Sequence, residues 1–251
     1  MSRSHLRKLG SVLLLLFAWQ LLVQWGKLSE LFLPAPLSVL ATMWEMTRSG
    51  QLPWAVLVSL NRVLQGFVYG ALAGIVLGLL AGAVGWIEDV LDPWVAAVYP
   101  IPKSALFPLF LLWFGLGDQS KIATIAVGVL FLVLVNTVTG VKSINPTLLK
   151  AAVDLGASRL QIFLKVILPG ALPNIFTGLR LGAGMALILV FITEIEATKA
   201  GLGFLLWEAF QLLDTKQVFA GVVTFGLLGV ASTWLLQWLE RLGCPWIQRS
   251  N

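Results

Sequence analysis

Very few residues of this 251-residue chain have the chemistry that enzymes use. Cys244 is the single cysteine and His5 the single histidine, which excludes an internal disulfide framework and a metal cluster built from cysteines. The sequence contains neither an HExxH zinc motif nor a GxxxxGK(S/T) phosphate loop. We therefore expect no catalytic residue, no metal site and no cofactor within this chain.

The polar side chains that remain of interest lie inside apolar segments. Lys103 is the only charged residue between Pro93 and Leu116. An ionisable residue in a membrane span can mark a transport path, but a lysine can also extend its ammonium to the interface, and both interpretations stay open. A lone lysine on a path suits an anion. The residues that could line such a path are Lys103, Ser104, Asn136, Thr139, Thr193 and Glu194.

The composition is that of a membrane protein. Hydrophobic residues make up 58% of the chain and charged residues 12%, whereas soluble domains contain about 25% charged residues. The mean hydropathy of +0.90 excludes a cytosolic enzyme, a disordered regulator and a soluble nucleic-acid binder. The net charge of +5 does not indicate nucleic acid as a partner, because the Lys and Arg residues separate apolar runs and form no basic patch.

Several uncharged runs are long enough to cross about 30 Å of hydrocarbon. They predict an all-α, polytopic membrane protein with spans at 9–26, 63–86, 93–116, 121–141, 174–195 and 217–239. The first run lacks the cleavage site of a signal peptide, so we expect an uncleaved helix. Prolines break the third span, and 38–49 is predicted to form a short amphipathic helix on the outer surface.

The charge distribution predicts the orientation of these spans. With the N-terminus inside, the inner segments hold ten Lys and Arg residues and the outer segments hold six. The positive-inside rule then places both termini and the 142–172 connection in the cytoplasm. The short inner turn at 86–92 weakens this bias because it carries Glu88, Asp89 and Asp92.

The second span carries a glycine at every fourth position. This spacing puts the glycines on one stripe of a helix, where small residues allow another helix to approach closely. Close packing is the favoured interpretation, and a glycine-lined conduit is the alternative. The stripe consists of Gly66, Gly70, Gly74, Gly78 and Gly82.

The 142–172 connection is predicted to form two short helices. Asn145 is a suitable N-cap for a helix over Pro146–Leu155 that ends at Gly156. Ser158 and Gln161 have the spacing of a capping box, which predicts a second helix over Arg159–Leu168 that ends at Pro169-Gly170. Regular capping and the apolar residues of these two helices favour a docking element for a soluble partner over a simple connection.

The same connection resembles a family signature. Lys150-Ala151-Ala152-Val153-Asp154-Leu155-Gly156, then nine residues, then Val166-Ile167-Leu168-Pro169 is similar to the "EAA" signature of binding-protein-dependent ABC importer permeases. The chain departs from it at Lys150, where the family has Glu, and at Val166, where it has Ile. Six further stretches resemble the nitrate, sulfonate, taurine and bicarbonate branch: 33–36, 99–109, 112–117, 168–173, 178–180 and 200–205.

This resemblance implies a fold, a function and partners. The fold would be that of a type I ABC importer (MetI-like), with six transmembrane helices in a single permease domain over 1–251. The chain would pair with a second permease, in a homodimer, in the bacterial inner membrane. Two cytoplasmic ATPase subunits would bind the ATP and Mg, and a periplasmic solute-binding protein would deliver the solute. Coupling to the ATPase would fall to Lys150, Ala151, Ala152, Leu155, Gly156, Ala157 and Ser158.

The implied solute is a small anion of the nitrate, sulfonate, taurine or bicarbonate class. Relatives that carry pyrimidine vitamin precursors keep a different solute open within the same architecture. A secondary transporter or channel is the alternative mechanism. It would carry an inverted repeat or several intramembrane acids, and the sequence shows no convincing repeat.

Overall fold

The computed structural model describes residues 3–26, 29 and 31–246. For residues 3–9, 12 and 13 it describes the backbone only, so the side chains of Arg3, His5, Arg7 and Lys8 are not described. Lys27 and Arg249 lie outside the described residues. Every regular element of the described residues is helical, which confirms the all-α class. The helices are α1 (Arg3–Gln24), α2 (Pro36–Arg48), α3 (Gln51–Ala83), α4 (Gly85–Val98), α5 (Phe107–Phe114), α6 (Asp118–Lys142), α7 (Pro146–Asp154), α8 (Arg159–Ile162), α9 (Leu168–Ala197), α10 (Leu202–Gln211) and α11 (Thr215–Gly243).

Among the described residues, four helical segments are long and apolar enough to cross a membrane. They are α3, α6, the continuous segment Arg159–Ala197 and α11. Together, α4 and the stretch Lys103–Phe114 are also long and apolar enough, but they meet at 93° and form either a broken fifth span or a re-entrant loop. Pro100 and Pro102 lie in this break, and neither has a backbone N–H to continue the hydrogen bonds of the helix. The first predicted span corresponds to α1, whose apolar part with described side chains is Leu14–Gln24.

The chain divides into two compact units. Unit 1 contains Met1–Ser59 and Lys199–Gly226. Within it, the rings of Trp19 and Phe219 are 5.7 Å apart, and the Ser59 hydroxyl accepts a hydrogen bond from the Leu202 amide at 2.8 Å. Unit 1 also contains α10, which the sequence did not predict.

Unit 2 contains Leu60–Thr198 and Leu227–Asn251. Within it, α3 and α6 run parallel, since Gly66 faces Ile125 and Gly82 faces Val141. The α9 helix runs antiparallel to α6, because Gly140 faces Asn174 and Gly128 faces Leu189. We call the two ends of unit 2 the Asp118 end and the Lys142 end, after the first and last residues of α6.

Three predicted helix boundaries are wrong, each for a physical reason. The helix predicted from residue 93 begins at Gly85, because Glu88, Asp89 and Asp92 lie within α4 and do not form a turn. The α3 helix begins at Gln51 rather than at residue 63, because Arg62 is buried in ion pairs and does not mark the edge of the span. The second helix of the 142–172 connection does not end at Pro169-Gly170 but continues through a π-helical turn, Phe163–Ile167, into α9. The wider ladder of a π turn accommodates a proline and its missing donor.

Candidate functional site

The α7 helix begins at a side-chain cap. The Asn145 Oδ1 atom accepts a hydrogen bond from the Thr147 amide at 2.9 Å, and Pro146 is the first helical residue. Asparagine satisfies a backbone donor that the helix itself cannot, and proline has no amide to leave unpaired. The predicted start of this helix is confirmed.

The α7 helix ends in a Schellman motif. Gly156 has φ of +75°, a backbone conformation in which glycine avoids the strain that other residues meet. Its amide donates to the Val153 carbonyl at 2.9 Å, and the Ala157 amide donates to the Ala152 carbonyl at 3.0 Å. A Cβ atom at Gly156 would meet nothing within 4 Å, so the requirement for glycine here is conformational and not steric.

The α8 helix begins at the predicted capping box. The Ser158 hydroxyl accepts from the Gln161 amide at 3.3 Å, and Gln161 Oε1 accepts from the Ser158 amide at 2.8 Å. Because α8 continues through the π turn into α9, the fixed turn at Gly156 and Ala157 joins α7 directly to a membrane span. A displacement of α7 can therefore reach α9 without an intervening flexible loop.

The residues around this turn present an apolar surface. Leu155 is 88% exposed, and Leu148, Val153 and Leu160 are also exposed. Lys150, Ala151, Gly156 and Ser158 are exposed, whereas Ala152 and Ala157 are half-buried. Exposed apolar side chains on a short polar connection are typical of a surface that a partner covers.

Lys103 lies at the break between α4 and α5. Its ammonium donates to the carbonyls of Val98, Tyr99 and Ile101 at 2.6, 3.1 and 3.0 Å, and lies 4.7 Å from the centre of the Phe131 ring. Lys103 thus satisfies carbonyls that the broken helix leaves without intrahelical donors. Ser104 follows it in a short 3₁₀ turn, Lys103–Leu106.

Asn136 and Thr193 lie where α6 packs on α9. The Asn136 amide donates to the Leu132 carbonyl at 2.8 Å, and a Cβ atom at Gly178 would approach the Asn136 Cβ to 2.9 Å. The Thr193 side chain is buried, and its hydroxyl donates to the Leu189 carbonyl of its own helix at 2.9 Å.

Glu194 belongs to a charge cluster at the Asp118 end. Its side chain is fully buried, and its Oε1 atom accepts from Arg62 Nη1 at 2.7 Å. The Nε and Nη2 atoms of Arg62 contact Oδ1 of Asp118 at 2.8 and 2.7 Å. Nη2 also donates to the Thr198 hydroxyl at 3.3 Å. Arg62 therefore ties together α3, α9 and the first residue of α6.

Lys121 is a second buried cation in this cluster. It is 1% exposed, and its ammonium donates to the Leu116 and Gly117 carbonyls at 3.0 Å each. Sequence reasoning missed Arg62, Asp118 and Lys121 because it treated charges as the limits of spans. The available signal was that these charges and Glu194 all occur at predicted outer ends of spans.

The glycine stripe of α3 packs against α6 in the same chain. A Cβ atom would approach a neighbouring α6 atom to 2.6 Å at Gly66, 2.3 Å at Gly70 and 2.7 Å at Gly74. At Gly78 and Gly82 the closest α6 atom would be 2.6 Å away. Real Cβ atoms do not come so close, and the two backbones could not lie at this distance with larger residues.

At the Lys142 end, an ion pair joins α4 to α6 through Glu88 and Lys142. This contact supplies a partner for Glu88, one of the three acids at 86–92 that weaken the predicted orientation; these acids lie within α4 and not in the predicted turn.

Comparison with known proteins extends the likeness over most of the chain. Residues 74–242 match the family model of the binding-protein-dependent transport system inner membrane component. The putative aliphatic sulfonates transport permease protein SsuC of Bacillus subtilis is 35% identical, over 91% of this chain and 83% of the relative. The taurine transport system permease protein TauC of Escherichia coli is 34% identical, over 98% of this chain and 91% of the relative.

A relative with a different solute is equally similar. The riboflavin transport system permease protein RibX of Chloroflexus aurantiacus is 36% identical, over 94% of this chain and 88% of the relative. Among solved structures, the crystal structure of an amino acid ABC transporter with histidines has a TM-score of 0.61 at 18% identity. It covers 74% of this chain and 91% of that chain, and this likeness concerns the fold.

Proposed function

This chain belongs to the family of binding-protein-dependent transport system inner membrane components, and from that premise we propose that the solute it passes is a small organosulfonate. As a permease of an ABC importer it is a transport subunit and not an enzyme, with an ATPase and a binding protein as partners. The architecture is that of a type I importer.

One observation carries the proposed coupling mechanism, namely the joint between α7 and α9. The Schellman motif at Gly156 and the capping box at Ser158 fix the turn on both sides, and α8 continues through the π turn into a span. We expect Lys150, Ala151, Ala152, Leu155, Gly156, Ala157 and Ser158 to form the surface that docks on the ATPase. Movement of the ATPase would then displace α9 through a stiff connection.

The proposed assembly contains more than this chain. Two permease chains would pair, two ATPase subunits would bind ATP and Mg, and a periplasmic binding protein would deliver the solute at the Asp118 end. The Lys142 end and both termini would face the cytoplasm across the inner membrane, with 1–251 acting as one permease domain. The path would follow Lys103, Ser104, Asn136, Thr193 and Glu194, although three of these side chains serve helix packing or ion pairing as described above.

The proposed solute class rests on the sulfonate and taurine relatives. The riboflavin relative is the observation that favours a second candidate, a neutral heteroaromatic vitamin. The two differ in charge and size, so that they can be separated directly.

Uptake into proteoliposomes tests the proposal. The permease would be reconstituted with its ATPase and binding protein. Uptake of radiolabelled ethanesulfonate would be measured with and without ATP on the side of the membrane that carries the ATPase. We expect uptake that requires ATP and is reduced by excess unlabelled taurine but not by riboflavin. Competition by riboflavin alone would assign the second solute, and uptake without ATP would contradict an ATP-driven importer.

A further inference from the structure

The charge cluster at the Asp118 end is asymmetric in its exposure. The Arg62 side chain is 5% exposed and that of Glu194 is 0% exposed, whereas the Asp118 carboxylate is 52% exposed. Asp118 is therefore the member whose own side chain loses least on leaving the cluster, because water already solvates half of its surface. The other arm of Arg62 stays on Glu194 when Asp118 moves away.

Departure of Asp118 would leave the cluster short of negative charge. Arg62 and Lys121 are cations and both are buried, and of the two carboxylates described above Glu194 would remain. Two buried cations would then share one buried carboxylate, an arrangement that a further negative charge stabilises. The vacated position would therefore favour an anion from solution.

The geometry of the Arg62–Asp118 contact defines which anion fits. Nε and Nη2 of Arg62 both converge on the same oxygen, Oδ1, at 2.8 and 2.7 Å. These two donors form one edge of the planar guanidinium, which suits a ligand that presents two oxygens side by side. A sulfonate, with three equivalent oxygens, can place one oxygen on each donor. The Thr198 hydroxyl, 3.3 Å from Nη2, lies beside the same edge.

We propose that the Asp118 carboxylate is a tethered placeholder for an oxyanion, and that a sulfonate binds the Nε–Nη2 edge of Arg62 when Asp118 swings out. This inference rests on the proposed function for its choice of sulfonate. It adds an anion site at the Asp118 end that the chain holds closed by its own carboxylate until a solute competes for the same donors.

Thermal unfolding of the purified full chain, in a phosphate-free detergent, tests the site directly. The probe is sodium ethanesulfonate, compared with sodium chloride at the same ionic strength. In Asp118→Asn, which removes the competing charge but keeps the shape, we expect ethanesulfonate to raise the melting temperature. Half of the effect should occur at a concentration about tenfold lower than in the wild type, because a placeholder reduces the fraction of competent sites.

Two further variants serve as controls for this comparison. Arg62→Gln/Glu194→Gln removes the Nε–Nη2 edge together with the buried carboxylate that pairs with Arg62, and it should abolish the specific effect of ethanesulfonate. Glu88→Gln, which frees an exposed lysine of the same unit, should respond as the wild type does. If Asp118→Asn cannot be purified, the wild type and the double variant still decide the matter, since an equal response of these two would overturn the site.

The remaining outcomes are also decisive. Equal effects of ethanesulfonate and chloride on Asp118→Asn would overturn the proposal. An anionic phospholipid is the other source of an oxyanion, so phosphatidylglycerol is titrated in mixed micelles. A response to the lipid alone would assign the Nε–Nη2 edge of Arg62 to a lipid headgroup and overturn the solute site. No ATPase or binding protein takes part in this measurement, so it is independent of the uptake assay. An ethanesulfonate effect without ATP-driven uptake would support the site and contradict the proposed function. ATP-driven uptake without the ethanesulfonate effect would support the proposed function and contradict the site.

Discussion

Arg62 Nη1 lies 2.7 Å from Glu194 Oε1, and this pair joins α3 to α9 with both side chains buried. Such a pair costs much to desolvate, but its partners depend on each other once they are buried. The Arg62–Glu194 contact thus specifies how two spans meet at the Asp118 end.

The first prediction follows from that dependence. Glu194→Leu should destabilise the chain by about 3–5 kcal/mol, because it leaves Arg62 without its buried counter-ion. Glu194→Leu/Arg62→Met should recover most of that loss. Unfolding by denaturant in detergent would measure both. Glu88→Leu, in the more exposed pair with Lys142, is the control and should cost no more than about 1 kcal/mol; an equal cost for the two single variants would contradict the prediction.

The second prediction concerns the glycine stripe. Gly70→Ala should destabilise the chain by about 1–3 kcal/mol, the usual range for overpacking, because the new Cβ would lie 2.3 Å from the Ala126 carbonyl oxygen. Gly184→Ala is the matched control, since a Cβ there meets nothing within 4 Å. Melting temperatures of the two variants would separate packing from helix propensity. Gly74→Leu should go further and reduce the yield of assembled complex.

The sequence predicted local features better than tertiary ones. The cap at Asn145 and the box at Ser158 depend on residues within a few positions of each other, and both are present. The start of α3 depends on the distant ion-pair partners of Arg62, and the continuation of the helix past Pro169 depends on a π turn. A hydropathy pattern encodes neither. The role of Lys103 likewise depends on carbonyls that become unpaired only once α4 has broken.

The third prediction concerns the thiol of Cys244, which follows α11 directly and is 4% exposed. Burial raises the pKa of this thiol, and the nearby Glu240 carboxylate raises it further. The reactive thiolate therefore forms only at a higher pH than in an exposed cysteine. Alkylation of the folded chain should be slow near neutral pH and accelerate with pH beyond the range of a free thiol. Because Cys244 is the single cysteine, the labelling rate reports on it alone; a rate equal to that of free cysteine at pH 7 would exclude the raised pKa.

The fourth prediction concerns orientation. In a Cys244→Ser background, a cysteine introduced at Ser158 should be labelled by an impermeant reagent only after the inner face of the membrane is opened. A cysteine at Glu208 should be labelled from outside in intact cells. Residue 158 belongs to the proposed docking turn and residue 208 to α10, so a reversed pattern would place the docking turn on the wrong side for an ATPase.

The fifth prediction addresses the coupling turn through two variants. Gly156→Val forces a β-branched residue to a φ of +75°, at a local cost of about 1–3 kcal/mol. That cost should distort the docking turn without unfolding the spans. Gly50→Val imposes similar strain at a φ of +80° in the turn between α2 and α3 and serves as the control. Lys150→Glu, which restores the family residue, changes one exposed charge and should be mild.

The most direct measurement of the central claim, that this permease is driven through the α7–Gly156–α8 turn, is ATP hydrolysis in proteoliposomes that contain the permease, its ATPase and its binding protein. We expect the solute-loaded binding protein to stimulate hydrolysis with the wild type, Gly50→Val and Lys150→Glu. Stimulation should be lost with Gly156→Val although that variant inserts normally. Full stimulation with Gly156→Val, together with its loss in Lys150→Glu, would show that charge pairing and not the turn carries the coupling, and would contradict the account.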